Sequence, residues 1–349
     1  MPSDNPGPAG PAAVLCGLAG WVPPRVVTND DLAARLDTDE TWIRTRTGIR
    51  RRHVVEPGQA TSDLAVEAGR RALRSSGSET ADAVIVTTTT PDRPCPATAP
   101  VVAARLGLAG AAAFDVGAVC TGFVYGLATA AGLIAAGVAR RVLLIGADTY
   151  STVVDPLDRG NAIIFGDGAG AVVLRAGDAD ESGAVGPFDL GSDGAHEDLV
   201  TIAAGGSRQR STGAEPTHAE RHFAMRGKEV YRHAVTRMAA SARTVLTDAG
   251  WKTDDVDHFV PHQANLRILH SVADDLALPR ERCVANIEAV GNTGAASIPL
   301  ALADAVAERR LRPGDRLLLT AFGGGLTWGS CLTTWPESAP RPQPERTTR

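Results

Sequence analysis

Aromatic residues are scarce in this chain: only 4% of its 349 residues are Phe, Trp or Tyr, although 44% are hydrophobic. Ala, Val, Leu and Ile must therefore fill most of the core. Lysine is almost absent; Lys228 and Lys252 are the two, and arginine supplies the other basic side chains. Such a bias suits a GC-rich coding genome, and the net charge of −5 argues against a general nucleic-acid binder. There is no uninterrupted apolar run of about 18 residues, so no membrane span is expected. Cysteines number five, Cys16, Cys95, Cys120, Cys283 and Cys331, odd in number and without a CxxC pair. That pattern is neither a disulfide framework nor a zinc site, and no metal centre is expected. The N-terminus lacks a basic stretch followed by an apolar core, so no signal peptide is read and a cytoplasmic location is expected.

Glycine and proline are present in quantity, 37 and 22 residues, which suits many turns and close backbone approaches. Residues 1–12 and 336–349, rich in Pro, read as disordered tails. Between them strands and helices alternate, the pattern of an α/β chain. Aliphatic and β-branched runs at 82–90 and 141–147 suit buried strands, and 63–76 and 228–249 read as amphipathic helices ending at Gly77 and Gly250. Three short matches recur in the same order. AGRRALRSSG (68–77) resembles SARTVLTDAG (241–250), RVLLI from Arg141 resembles RLLLT from Arg316, and FGDGAG from Phe165 resembles FGGGLT from Phe322. They predict two copies of one α/β unit, over 13–175 and 225–335, joined by connecting loops over 176–224.

Several residues then stand out. Cys120 falls where a strand at 114–118 turns into an apolar helix, and a helix N-terminus favours thiolate over thiol; a buried structural cysteine is the other reading. His262 and Asn265 follow a strand in VPHQANLR, at the edge where α/β folds bind ligands. Asn292 in GNTG is either a helix cap or a hydrogen-bond donor to a ligand. The glycine run at 323–325 either brings a backbone N–H to a reacting atom or makes a hairpin turn.

Taken together, WIRTRTGIRRRHV (42–54), DVGAVCTGFVYGL (115–127), DRGNAIIFGDGAGAVVL (158–174), VPHQANLRIL (260–269), GNTGAASIPLAL (291–302) and AFGGGLTWGS (321–330) resemble the thiolase superfamily of condensing enzymes. Within it the resemblance is to the β-ketoacyl-acyl-carrier-protein synthase III family and covers about 13–335. It implies an α/β fold of five layers, αβαβα, built from two pseudo-symmetric halves. It implies an acyltransferase in which Cys120 takes an acyl group from acyl-CoA, with His262 and Asn292 completing a Cys-His-Asn triad. The N–H groups of Cys120 and Gly324 would form an oxyanion hole. Malonyl-acyl carrier protein would then lose CO₂ and condense with the acyl group, as in the initiation of fatty acid or polyketide synthesis. Coenzyme A enters as a thioester substrate, and no cofactor is implied. Trp42, Arg46, Arg159 and Asn265 would contact coenzyme A, and Arg267 and Arg232 would dock the carrier protein. Cys95, in the loop PDRPCPA, would gate the acyl pocket of the other subunit of a homodimer. Its small side chain implies a starter larger than acetyl.

Two departures accompany the resemblance. Asp148 stands where the family often has Glu, and the loop 203–217 is longer than usual. A degradative thiolase would carry a second cysteine just before the glycine turn, where Ala321 and Phe322 stand. An elongating synthase with two histidines would not carry Asn292. The alternative reaction is transfer of the acyl group from Cys120 to an alcohol or amine without condensation. A non-catalytic acyl-CoA-binding subunit would have no need of Cys120, His262 and Asn292 together.

Overall fold

The computed structural model describes residues 10–337, so the expected tails lie almost wholly outside the described residues. The chain begins with β1 (Ala12–Trp21), β2 (Arg25–Thr28), α1 (Asn29–Ala33), α2 (Glu40–Thr47) and β3 (Arg51–Val54). It continues through α3 (Thr61–Ser75), β4 (Ala83–Thr87), α4 (Ala99–Arg105), β5 (Ala112–Val116), α5 (Gly122–Ala135) and β6 (Arg141–Thr149). After α6 (Arg159–Ala162), β7 (Asp167–Gly177) and β8 (Val185–Ser192) come the short β9 (Val200–Thr201), α7 (Ser207–Arg210) and β10 (Ala224–Met225). The last part holds α8 (Gly227–Asp248), β11 (His258–Pro261), α9 (Leu266–Asp275), α10 (Ile287–Val290), α11 (Ser297–Ala307), β12 (Arg316–Gly323) and β13 (Thr327–Thr334).

Two sheets carry the fold, in the orders β1-β7-β6-β4-β5 and β11-β12-β13-β8. Their pairings correspond strand for strand. β6 runs parallel to β4 and antiparallel to β7, as β12 runs parallel to β11 and antiparallel to β13. β1 closes one edge as β8 closes the other. The place of β5 is taken in the second sheet by a single parallel bridge between Phe259 and Cys283. The connecting stretch 176–224 needs correction on this point. It contains β8, a full edge strand of the second sheet, whose Gly, Pro and Asp residues disguise it as loop.

Strand alternation sorts the core into layers. In β6, Val142 and Leu144 face one way and Leu143 and Ile145 the other; in β12, Leu317 and Leu319 oppose Leu318. The inner faces of both sheets meet over α5 and α11, through Phe123, Leu127, Ile134, Ile298 and Leu302. The outer faces are covered by α3 and α4 on one side and α8 and α9 on the other. The outcome is helix, sheet, helix pair, sheet, helix. Amphipathic α3 and α9 bury one stripe each, whereas α5 is apolar all round because it lies between two sheets. Its Gly126 is obligatory, since a Cβ there would stand 2.5 Å from Leu144 Cδ1. No helix among the described residues is long and apolar enough to cross a membrane.

Candidate active site

Cys120 lies in a short helical turn, Val119–Thr121, between β5 and α5. Val119, a β-branched residue, has φ +47°, a conformation that costs such side chains about 1–3 kcal/mol. This kink places Cys120 at the start of the buried helix, itself only 9% exposed. Its sulfur is 3.9 Å from the Tyr150 hydroxyl, which donates to Thr89 Oγ1 at 3.2 Å. The Tyr150 ring is fully buried, stacked on Phe165 at 4.5 Å and edge-on to Phe223. Burial, then the nearby Asp148 carboxylate, pushes the Cys120 thiol up to about 12. Burial and the Asp148 charge thus work against the thiolate that the helix start favours.

The glycine turn is fastened against this cysteine. A Cβ on Gly323 would stand 2.8 Å from Cys120 N, so the two backbones touch. The Thr121 hydroxyl donates to the Thr327 carbonyl at 3.2 Å, and the Thr327 hydroxyl lies 3.0 Å from Thr121 Oγ1. Gly324, next in the turn, is buried beside Val200.

His262 follows β11 and extends its ladder, its N–H donating to Thr320 O at 2.8 Å. The ring is buried, and burial pulls its pKa down to about 3, so the imidazole is neutral at ordinary pH. Its Nδ1 lies 2.6 Å from Ser297 Oγ, which also accepts the Gln263 N–H at 3.3 Å. Asn292 is held by its backbone on both sides, N–H to Ile164 O and C=O from Gly166 N–H, each at 2.9 Å. Its side-chain oxygen accepts the Gly294 N–H at 2.9 Å, which leaves the Nδ2 amide to donate elsewhere. The turns Val119–Thr121 and Gly294–Ala296 pack on each other, and the former also packs on β12. Cys120, His262, Asn292 and the glycine turn thus converge from four segments.

Asp148 ties the two halves together there. One oxygen accepts from Thr89 N at 2.7 Å and from the Thr88 and Thr90 hydroxyls; the other accepts the Ala295 N–H at 2.8 Å. Burial raises this carboxyl to about 7 despite those bonds. Gly294 makes room for it: a Cβ would lie 2.2 Å from Asp148 Oδ2, at φ +57°. Sequence reasoning noted Asp148 only as a departure and missed Tyr150 and Ser297. Ser297 lies inside the quoted GNTGAAS segment; Tyr150 carries no local signal.

A second group lies at the surface. Asp39 caps α2 by accepting Trp42 N, and the half-exposed Trp42 ring has the Arg159 guanidinium 5.1 Å from its centre. Arg159 also donates to Asp37 O. Asn265 caps α9 through Arg267 N and donates to the Arg46 carbonyl at 3.2 Å, which brings Arg46 to the same edge. Arg267 on α9 and Arg232 on α8 are both exposed, on helices linked by Tyr231 and Ser271. Cys95 is exposed in its loop. Asp155, His218 and His222 carry potential metal-ligand atoms within 4.8 Å of one another. His218 is already paired with Asp155 at 2.9 Å, and the group belongs to the surface.

Comparison with known proteins identifies relatives of the chain. Sequence profiles described as 3-oxoacyl-[acyl-carrier-protein (ACP)] synthase III and as its C-terminal part match residues 114–194 and 246–335. The chain is 58% identical over 326 residues to beta-ketoacyl-[acyl-carrier-protein] synthase III 5 of Streptomyces coelicolor, covering 93% of this chain and 98% of that one. It superposes on 3-oxoacyl-(acyl carrier protein) synthase III of Pseudomonas aeruginosa with TM-score 0.88 and 54% identity, covering 93% and 98% of the two chains. A priming beta-ketosynthase of a polyketide biosynthetic pathway aligns with TM-score 0.87 and 33% identity, covering 98% and 100%.

Proposed function

The chain belongs to the 3-oxoacyl-acyl-carrier-protein synthase III family, and from that membership we propose a working cycle for its own residues. The protein is a condensing acyltransferase whose substrates are an acyl-CoA and malonyl-acyl carrier protein. In the first half-reaction, neutral His262 accepts the Cys120 proton at Nε2 while the sulfur attacks the acyl-CoA carbonyl. The N–H groups of Cys120 and Gly324 hold the oxyanion. The C–S bond to coenzyme A breaks, and the departing thiolate takes the proton back from His262.

In the second half-reaction, His262 Nε2–H and Asn292 Nδ2–H donate to the malonyl thioester oxygen. The C–C bond to the carboxylate breaks, CO₂ leaves, and the enolate is stabilised by the two donors. Its carbon attacks acyl-Cys120; the sulfur leaves as a thiolate and takes up a proton from solvent, and the β-ketoacyl product departs on the carrier. Nε2 must therefore accept in one half-reaction and donate in the other. Ser297 permits both, because its hydroxyl can accept from Nδ1–H or donate to Nδ1. The observation that carries this reading is the buried, neutral His262 with Nδ1 on a hydroxyl, together with an Asn292 whose Nδ2 is uncommitted. Every step is a proton, acyl or CO₂ transfer, so the cycle has no step for a metal or redox cofactor.

Trp42 and Arg159 would receive the adenine between them, with Arg46 nearby and Asn265 beside the pantetheine arm. Arg267 and Arg232 would meet the acidic carrier protein. In a homodimer, Cys95 would reach the partner's acyl pocket and leave room for a starter larger than acetyl. A cytoplasmic location fits these substrates. Incubation with acetyl-, isobutyryl- or hexanoyl-CoA and malonyl-carrier protein tests the proposal. Acyl-Cys120 by mass, CO₂ release and a β-ketoacyl product are expected, with acetyl the poorest starter. Adduct formation with transfer to an alcohol or amine, and no CO₂, would replace condensation by acyl transfer.

A further inference from the structure

β2 and β3 form a small antiparallel ribbon in which Arg25 pairs with Val54 and Val27 with Arg52. Side chains directly opposite share a face, and residues two apart share it too. Arg25, Val27, Arg52 and Val54 therefore point the same way. That face lines a cavity of about 350 Å³, at the small end of the range for small-molecule sites. Arg35, two residues past the end of α1, supplies a third guanidinium, and Leu32, Val154 and Phe165 supply apolar wall. None of Cys120, His262, Asn292, Trp42, Arg46 and Arg159 lines it.

The charge in this cavity is uncompensated. Arg52 is 1% exposed, and its Nη atoms donate to three neutral oxygens, Val27 O, Asn29 Oδ1 and Ile163 O. Its Nε has no partner. Arg25, Arg35 and Arg52 form no ion pair with any described residue. Glu56, the one acid in the lining, is exposed, and Asp31 senses Arg35 only at a distance. A buried guanidinium without a counter-charge is costly, and three around one cavity repel one another. An anion entering would be paired by planar forks suited to a carboxylate.

We propose that this cavity is a binding site for a small monocarboxylate with a short alkyl chain, its head held by Arg25, Arg35 and Arg52 and its tail against Val154 and Phe165. The apolar wall favours an alkyl carboxylate over a bare inorganic anion. The site lies directly behind the reaction centre. Phe165 stacks on Tyr150, the neighbour of the Cys120 sulfur, and Arg52 holds Ile163 O, one residue before the carbonyl that accepts the Asn292 N–H. Occupancy therefore reaches the reaction centre by two routes, through Phe165 and Tyr150 to Cys120 and through Ile163 and Ile164 to Asn292. This last consequence rests on the cycle proposed above; binding itself does not.

Calorimetry of the full chain with hexanoate, acetate and inorganic phosphate tests the assignment. Hexanoate is expected to bind saturably and more tightly than acetate or phosphate. The double variant Arg25→Gln/Arg35→Gln, altered at two exposed positions, should bind hexanoate at least about tenfold more weakly. Its thermal midpoint and its rate of Cys120 acylation should stay unchanged. Unaltered hexanoate binding in the double variant would place the ligand in the acyl site and overturn the proposal. Absence of saturation at millimolar hexanoate, or binding of phosphate alone, would overturn it as well.

Discussion

Two helix starts occupy equivalent places in the two sheets, and they differ in what holds them. The turn Val119–Thr121 leads into α5, between β5 and β6. The turn Gly294–Ala296 leads into α11, between the Cys283 bridge and β12. The first forces a β-branched residue to φ +47° and presents a thiol beside Tyr150. The second relies on Gly291 and Gly294, at φ +73° and +57°, and gives its Ala295 N–H to the buried Asp148. One copy of the unit thus carries strain and the proposed nucleophile, the other glycine and an amide donor. Duplication supplied two helix N-termini facing one space, and divergence gave them separate tasks in charge handling.

The sharpest way to break this comparison is to remove each task alone. Asn292→Ala should leave acylation of Cys120 within a few-fold while lowering condensation at least about a hundredfold, because an enolate donor is lost. Cys120→Ala should abolish the acyl adduct altogether. Single-turnover acylation followed by CO₂ release separates the two, and equal loss of both steps in Asn292→Ala would contradict the division. Next in size, Gly294→Ala should destabilise the fold by more than about 2 kcal/mol, since its Cβ meets Asp148 at 2.2 Å in a left-handed conformation. Gly137→Ala is the control: its φ is +70° but nothing lies within 4 Å, so about 1 kcal/mol is expected from urea unfolding.

Ser297→Ala should lower kcat about tenfold with KM for acyl-CoA little changed, and Ser297→Thr should recover part of the loss. The physical reason is that the hydroxyl lets His262 exchange tautomers without gaining charge. The smallest effect concerns pH. His262 is neutral in the fold, with a pKa near 3 against an ordinary 6.5. Its contribution to stability is complete above 6.5 and is lost as pH falls toward 3. Asp148 has the opposite sign. Its carboxyl is raised from 3.8 to about 7, so its ionisation costs stability as pH rises through that interval. Between 3.8 and 6.5 the two slopes oppose each other. His262→Gln should unmask the second, the variant's own stability falling as pH rises across that window. Stability of the variant itself that stays flat across the window would remove Asp148 from the balance, and a flat difference from the wild type would remove His262.

Much of the site was legible along the chain because its chemistry needs particular residue types at particular junctions. Cys120 at a strand-to-helix junction, His262 after a strand and Asn292 before a helix each carry that mark. The hydrogen bonds that Asp148 accepts from Thr89, Thr90 and Ala295 left none, since its donors lie in two segments far from it and from each other in sequence. Tyr150 is likewise a residue at a strand end until the fold brings it against Cys120. β8 was read as loop because its partner, β13, is more than a hundred residues away, and an edge strand tolerates Gly and Pro that a central strand would not.

By itself the sequence determined the alternation of strands and helices, the doubled unit and the candidates proposed as nucleophile and companions, Cys120, His262 and Asn292. These depend on local periodicity, on short repeats and on residue chemistry. The tertiary structure decided the charge states and the supports. Burial between two sheets pushes the Cys120 thiol up and the His262 imidazole down, and it brings Asp148, Tyr150 and Ser297 to them. Desolvation and through-space contact depend on which surfaces are shut together, and no linear spacing encodes that.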